Sequence, residues 1–191
     1  MHLDHEQYFN YLRDRSRAAR WYRNYWLYPR LCRHLFGRVL DVGCGIGDML
    51  RFRPGTVGVD INLAAVSYCR EIGLDACQMK VDQLPFEDAE FDGLILDNVL
   101  EHVANPMPLL GEVHRVLRSN SSLIIGVPGV RGFAADLDHK IFYDDVSLRD
   151  TLQQAGFDWQ RTLRMPLPMD VLGILSRTYC IYGVFAPTAY G

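Results

Sequence analysis

The sequence lacks a long hydrophobic segment. None of its 191 residues belongs to a run of the roughly 18 uncharged apolar residues that a membrane-spanning helix requires. The first residues, MHLDHEQYFNYLRDR, carry charges where a secretory signal peptide would be apolar. We therefore expect a cytoplasmic protein with no transmembrane segment.

Cysteine pairs and familiar metal-binding spacings are also missing. The five cysteines are odd in number and contain no CxxC pair, and none of the six histidines falls in an HExxH pattern. These absences argue against a disulfide framework and against a zinc site. We expect reduced, mostly buried thiols and no bound metal.

Charge is distributed unevenly, although the net charge is only -3. Residues 1–38 hold eight arginines against three acids, a net charge of +5, so the remainder carries -8. Aromatic residues are interleaved with these arginines, a pattern compatible with binding to nucleic acid or to a membrane surface. A helical extension that packs its aromatics on a domain and leaves its arginines in water has the same pattern. We favour this second interpretation and predict a helical lid segment over residues 1–37 and a domain over residues 38–191.

From residue 38 onward, short apolar runs alternate with helical patterns, which is typical of βαβ units and a parallel sheet. Strands are predicted at 38–42, 56–60, 76–81, 91–97 and 122–127. Helices are predicted at 62–73, 108–119 and 146–157, with a crossover of about two turns after the first strand. Two further strand candidates, 157–165 and 177–186, close the chain.

A glycine-rich loop follows the first predicted strand, in the sequence VLDVGCGIGD. Such a loop between a strand and a helix brings a ligand close to backbone N–H groups. Asp48 stands where a dinucleotide fingerprint counted from Gly43 needs a third small residue, and no Gly-Lys-Ser/Thr follows as in a P-loop. Asp41, just before the loop, would also repel a phosphate. The loop is therefore not predicted to hold a dinucleotide.

Two more acids end the next predicted strands. Asp60, in GVDIN, is placed to accept both hydroxyls of a ribose. Asp82, in KVDQLPF, is placed to accept a hydrogen bond from the exocyclic amine of an adenine. Together with Asp41, these carboxylates predict a pocket for an adenosine that carries a cationic group.

Four segments resemble, in order, the motifs of the class I S-adenosylmethionine-dependent methyltransferases of the type 11-like group. The segments are VLDVGCGIG, GVDIN, VDQLPFEDAEFDGLILDNVLEHV and HRVLRSNSSLIIGVP. The resemblance covers residues 38 to about 157. It implies an α/β fold, with a Rossmann-like seven-stranded sheet that is mostly parallel, a C-terminal antiparallel hairpin and helices on both faces. It also implies S-adenosylmethionine as the cofactor.

The same resemblance assigns cofactor contacts by position. The residues assigned to the methionine part of the cofactor are Asp41, Gly43, Cys44, Gly45 and Gly47, with Asn98 beside them. Those assigned to the ribose and adenine are Asp60, Ile61, Asp82, Gln83 and Leu84. One departure is SNSS at 119–122, where the family commonly has a Pro-Gly-Gly turn before the fifth strand.

Two histidines are candidates for the chemistry. Methyl transfer from a sulfonium mainly needs alignment of the reacting atoms, but a hydroxyl acceptor also needs a general base. His102 follows the fourth strand, and His139 lies in the long loop after the fifth, where Asp136 or Asp138 is placed to orient its imidazole. The alternatives are a structural or cofactor-side role for His102 and a loop-anchoring role for His139.

These patterns predict a methyltransferase that acts on a hydroxyl or amine of a small-molecule or glycan-type acceptor. The rival is an RNA or protein acceptor, motivated by the basic aromatic N-terminus. Nucleobase N-methylation is disfavoured, because LDNV stands where many such enzymes have Asp-Pro-Pro-Tyr, so nucleic acid is the less favoured partner. A non-catalytic module that binds S-adenosylmethionine is the alternative from another class, and no oligomeric state is predicted.

Overall fold

One seven-stranded sheet organises the protein, in the order β3-β2-β1-β4-β5-β7-β6. The computed structural model describes residues 16–167 and 176–188, so Tyr8, Tyr11 and most of the apolar stretch before β7 lie outside the described residues. The strands are β1 Val39–Val42, β2 Thr56–Asp60, β3 Ala76–Gln78, β4 Phe91–Asp97, β5 Leu117–Pro128, β6 Phe157–Met165 and β7 Cys180–Pro187. The first five are parallel, and β7 runs antiparallel to both β5 and β6. The predicted sheet is confirmed.

Helical segments precede the sheet and connect its strands. The N-terminal ones are α1 Arg17–Tyr22, a π-helical turn Arg23–Leu27, α2 Tyr28–Leu31 and a 3₁₀ turn Cys32–His34. The connecting ones are α3 Asp48–Phe52, α4 Leu63–Glu71, a 3₁₀ turn Leu100–His102, α5 Met107–Val116, α6 Val130–Phe133 and α7 Asp145–Gln154. Among the described residues, every helix is too short or too polar to cross a bilayer.

Local sequence signals set the ends of the longer helices. Asn62 caps α4 by accepting hydrogen bonds from the N–H groups of Ala64 and Ala65. Gly73, with a φ of 78°, follows the end of the same helix, in the left-handed conformation that glycine adopts readily. Asp144 and Ser147 form a reciprocal capping box at the start of α7.

The core lies on both faces of the sheet. Successive residues of β4 point to opposite faces, and Leu94 and Leu96 join one cluster while Ile95 joins another. The first cluster is covered by α5 and α7. The second includes Leu27, Tyr28 and Leu31, so the N-terminal helices supply part of the core. Each such buried side chain contributes roughly 1.5 to 3 kcal/mol to the free energy of unfolding.

Several predicted boundaries differ from the structure by two residues or more, and the largest differences flank β3 and β5. β3 ends at Gln78 and not at residue 81, because Lys80 forms a bridge back to Gln83 across a turn. The helix predicted to continue to residue 119 ends at Val116, and the SNSS segment lies within β5 and is not a turn before it. Long-range pairing explains the second difference, since Leu117 pairs with Phe91 of β4 before the register shifts.

Candidate functional site

The glycine loop lies at the carboxyl ends of β1 and β2 and is held by backbone bonds. The N–H groups of Gly43 and Cys44 both donate to the carbonyl of Val59, at 2.8 and 3.0 Å. Gly43 has a φ of 76°, and a Cβ atom there would lie 2.4 Å from Cγ2 of Val99. The loop therefore packs against the chain that leaves β4, with no room for a side chain at this position.

Asp60 connects the end of β2 to this loop. Its Oδ2 accepts from the N–H of Gly45 and its Oδ1 from the N–H of Asn62, each at 2.8 Å. A carboxylate offers about four acceptor positions, so these two bonds are compatible with accepting hydroxyl groups of a ligand as well. The next residue, Ile61, presents an exposed apolar side chain beside this carboxylate.

Asp41 is buried at the end of β1 among other negative charges. Burial raises the pKa of its carboxyl well above the usual range, and the charge of Asp97 raises it further. Asp60 acts in the same direction, while Arg23 opposes the shift. Three strand-end carboxylates therefore interact electrostatically, and a cationic ligand would relieve their repulsion.

Arg23 reaches this cluster from the N-terminal helical segment. Its Nη2 donates to Oδ2 of Asp97, and its Nε donates to the hydroxyl of Tyr28 at 2.8 Å. Oδ1 of Asp97 accepts from Tyr182 at 2.8 Å and from Asn98 at 2.9 Å. Sequence reasoning did not single out Arg23, Asp97 or Tyr182. The available signal was the acid that directly ends the apolar strand β4.

The three residues predicted to close over the adenine, Asp82, Gln83 and Leu84, differ in how far they are buried. Asp82 lies in the turn after β3 with a φ of 55°, and the side chain of Gln83 is exposed. Leu84 is buried in the core, and its N–H donates to Oε2 of Glu112. The side chain of Leu84 therefore packs into the protein, which leaves Asp82 and Gln83 as the side chains available at this edge.

Asn98 adopts a φ of 58° directly after β4. Its N–H donates to the carbonyl of Gly126 at 3.0 Å, and its Oδ1 lies 3.7 Å from Sγ of Cys180. A left-handed backbone at a non-glycine residue is uncommon and is tolerated best by asparagine and aspartate. This conformation turns the chain sharply from the sheet into the segment that carries His102.

The two candidate histidines, which the sequence presented as alternatives, lie together. The ring centroids of His102 and His139 are 4.6 Å apart. Nδ1 of His139 lies 2.8 Å from the carbonyl oxygen of Phe133, so this nitrogen carries the proton in the neutral ring and Nε2 has the lone pair. Asp136 lies 3.9 Å from Nε2, beyond hydrogen-bond distance. The Phe133 carbonyl holds the His139 imidazole through Nδ1, and the orientation of this ring by Asp136 or Asp138 stays a prediction.

Glu101 completes this cluster, and sequence reasoning missed it. The residue is 0% exposed, and within the described part of the chain neither of its carboxylate oxygens has a hydrogen-bond partner. Burial raises its pKa to about 8, with smaller contributions from the charges of Asp97 and Asp136. Burial also lowers the pKa of His102, and the neighbouring His139 adds to this shift. A glutamate inside the apolar run NVLEHV was the available signal.

Several known proteins and one protein-family model that resemble this chain are described as methyltransferases. Residues 40–125 match the family model described as a methyltransferase domain. An uncharacterized protein of Methanocaldococcus jannaschii is 35% identical over 91 residues, which are 48% of this chain and 44% of the relative. A probable S-adenosylmethionine-dependent methyltransferase of Mycolicibacterium smegmatis is 28% identical over 162 residues, 73% of this chain and 62% of the relative. The chain thus spans between 44% and 62% of the length of these two relatives.

A solved structure shares the fold over nearly the whole chain. It comes from the complex between the Haloferax volcanii Trm112 methyltransferase activator and a methyltransferase. The similarity has a TM-score of 0.76 at 18% identity and covers 99% of this chain and 100% of that chain.

Proposed function

We propose that this chain is a class I S-adenosylmethionine-dependent methyltransferase that transfers the methyl group of S-adenosylmethionine to a hydroxyl or amine of a small-molecule or glycan-type acceptor. Family membership rests on the matched methyltransferase domain and on the seven-stranded sheet. The methyl-transfer activity of this chain and the class of its acceptor are both proposed.

The observation that carries the proposal is the convergence of Asp41, Asp60 and Asp97 around the glycine loop. The charges of Asp97 and Asp60 both raise the pKa of the Asp41 carboxyl, after burial itself, so these groups act on one pocket. S-adenosylmethionine brings a sulfonium and an ammonium, which suit such a pocket, whereas a pyrophosphate would be repelled. The ribose would be held by Asp60, and the adenine would lie against Ile61 with Asp82 and Gln83 at its edge.

The N-terminal segment is proposed to cover the cofactor side of this pocket. Arg23 bonds to Asp97 at the end of β4, and its Nε lies 4.0 Å from Oδ2 of Asp48 beside the glycine loop. Arg23 therefore bridges the two strand ends between which the methionine part of the cofactor is proposed to lie. This placement supports a lid whose buried residues also stabilise the fold.

The acceptor is proposed to bind next to Glu101, His102 and His139. These residues follow β4 and β5 at the edge of the sheet where ligands of such folds bind. The loop after α6 is fixed there, since the N–H groups of Lys140 and Ile141 donate to the carbonyl of Glu101 at 2.7 and 3.2 Å. In its neutral form, His139 would carry a lone pair on Nε2, which suits removal of a proton from an acceptor hydroxyl.

A nucleic-acid or protein acceptor is the second candidate. It is supported by Trp21 and Tyr25, which are exposed on the arginine-rich N-terminal segment with ring centroids 5.7 Å apart. An activating partner protein is a further proposal, prompted by the Haloferax volcanii structure in which the activator Trm112 is present.

Label transfer tests the proposal. The purified protein is incubated with methyl-labelled S-adenosylmethionine and, separately, with small-molecule, glycan, RNA and protein pools, with Asp60→Ala as the control. Transfer to the small-molecule or glycan pool is expected. Transfer to RNA or protein alone would support the second candidate, and tight cofactor binding with no transfer to any pool would support a non-catalytic module.

A further inference from the structure

We propose that Glu101, His102 and His139 form a binding site for one divalent transition-metal ion on the acceptor side of the pocket. Each side chain offers one ligand atom, and these atoms lie within 4.8 Å of one another. Two imidazole nitrogens and one carboxylate oxygen are a common ligand set for such ions. The three residues are separated by up to 38 positions in the chain, so no sequence spacing indicates the site.

The distances require only a small closure. Nε2 of His139 lies 3.9 Å from Oε1 of Glu101. Two ligands bound to the same ion at 2.0 to 2.2 Å are about 3 to 3.5 Å apart. This pair would therefore have to close by less than about 1 Å. The most separated pair of ligand atoms, which lie within 4.8 Å of each other, would have to close by up to about 1.8 Å.

The buried carboxylate of Glu101 is the independent sign of a missing ligand. The residue is fully buried, and within the described part of the chain neither oxygen accepts a hydrogen bond. A buried polar group without a partner destabilises a fold, and such groups are rare unless an ion, a water or a function accounts for them. A cation between Glu101 and the two imidazoles would give this carboxylate its partner.

The surroundings of His139 match those of a metal-bound histidine. The Phe133 carbonyl holds Nδ1 of His139 at 2.8 Å. Histidine ligands usually donate their second ring N–H to a carbonyl or carboxylate, which fixes the tautomer and the ring orientation. The Phe133 ring also stacks on His139, with centroids 5.1 Å apart. Nε2 of His139 is thus available to an ion.

The ligand set favours Zn²⁺ or a similar transition metal over Mg²⁺, which prefers oxygen ligands and keeps several waters. Three protein ligands leave at least one coordination position open, as in catalytic zinc sites. An acceptor hydroxyl bound there would lose its proton more readily, because the ion stabilises the resulting anion. This role rests on the proposed methyl transfer and would replace proton removal by Nε2 of His139, because the ion would occupy that lone pair. The binding of the ion does not rest on the proposed methyl transfer.

Metal titration of the untagged, chelator-treated protein tests the site without cofactor or acceptor. Zn²⁺ is titrated by calorimetry, and Co²⁺ is followed by its visible absorption. We expect about one ion per chain, with the affinity at least tenfold weaker in Glu101→Gln, His102→Ala and His139→Ala. His34→Ala and Glu71→Gln, which lie outside the cluster, should bind as the unmodified protein does.

Binding of S-adenosylhomocysteine and the thermal unfolding midpoint are measured for every variant to show that each is folded. The inference is overturned if the unmodified protein binds neither ion, or if all three cluster variants bind Zn²⁺ with unchanged affinity. If S-adenosylhomocysteine binds while the metals do not, the metal site fails and the proposed function stands. If the metals bind in the predicted pattern while S-adenosylhomocysteine does not, the metal site stands and the proposed function fails.

Discussion

Arg23 and Asp97, 74 positions apart in the chain, form an ion pair in which Nη2 lies 2.5 Å from Oδ2. The arginine belongs to the N-terminal helical segment and the aspartate ends the central strand β4. The pair thus joins a segment that precedes the sheet to the edge at which the cofactor is proposed to bind.

Arg23→Ala should destabilise the protein. Breaking a fully buried pair typically costs about 3 to 5 kcal/mol, because one charge is left without its partner. Since the Arg23 side chain is 20% exposed, we expect a smaller fall of about 2 kcal/mol in the free energy of unfolding, measured with urea. Affinity for S-adenosylhomocysteine should fall as well.

Arg51→Ala is the matched control, because Arg51 pairs with Asp48 at a more exposed position. It should cost less than about 1 kcal/mol. The double variant Arg23→Ala with Asp97→Asn should recover part of the lost stability. Equal effects of Arg23→Ala and Arg51→Ala would contradict a special role for the first pair.

Gly43→Ala should disturb both the fold and the cofactor pocket. The new Cβ would lie 2.4 Å from Cγ2 of Val99, in addition to the strain of a φ of 76°. Gly73→Ala is the control, since its φ is 78° and nothing lies within 4 Å of its Cβ. The strain alone costs about 1 to 2 kcal/mol, and overpacking adds about 1 to 3 kcal/mol at Gly43 only.

Urea unfolding of the two glycine variants measures this difference. Adding Val99→Ala to Gly43→Ala should remove the clash and restore part of the stability. If Gly43→Ala were no less stable than Gly73→Ala, the close packing of the glycine loop against Val99, after the end of β4, would be refuted.

Asp60→Ala should weaken S-adenosylmethionine binding at least tenfold. Two proposed ribose hydrogen bonds to a charged acceptor would be lost, each worth roughly 1.5 to 3 kcal/mol, and the N–H of Gly45 would lose its partner. Calorimetry compares this variant with Asp75→Ala, whose side chain is exposed. Unchanged affinity in Asp60→Ala would mean that the ribose is held elsewhere.

His139→Ala should depress turnover once an acceptor is identified, while S-adenosylmethionine affinity stays nearly intact. Loss of a group that removes a proton typically costs about 10²- to 10⁴-fold in rate. His34→Ala serves as the control. A strong effect of His102→Ala with none of His139→Ala would move the base to His102, and no effect of either would indicate an acceptor that needs alignment only.

Much of the sheet could be predicted because its central strands are short apolar runs bounded by turn residues. β2 and β4 have the predicted limits, and β1 differs by one residue, since residues such as Val57 and Leu94 are buried on a parallel sheet. The start of β5 could not be predicted, because its polar residues 118–121 lie in a register shift between two pairs with β4, Leu117 with Phe91 and Ser122 with Gly93. Such long-range pairing leaves no local periodicity.

The candidate site could likewise be predicted where its residues are contiguous in sequence, but not where they come from distant segments. The resemblance to methyltransferases could be predicted because the loop and acid motifs are contiguous in sequence, and residues 40–125 match the methyltransferase domain model. The cluster of Glu101, His102 and His139 was not, because the loop after α6 brings residues from two strand ends together. Arg23 was missed for the same reason: nothing local distinguishes it from the other arginines of its segment.

Calorimetric titration with S-adenosylmethionine and S-adenosylhomocysteine tests the central claim most directly, with NAD and ATP as matched adenosine ligands that carry phosphates. We predict that S-adenosylmethionine and S-adenosylhomocysteine each bind at about one molecule per chain. NAD and ATP should bind much more weakly, because Asp41 and Asp48 oppose phosphate. No binding of either sulfur ligand at millimolar concentration, or preferential binding of NAD, would contradict it.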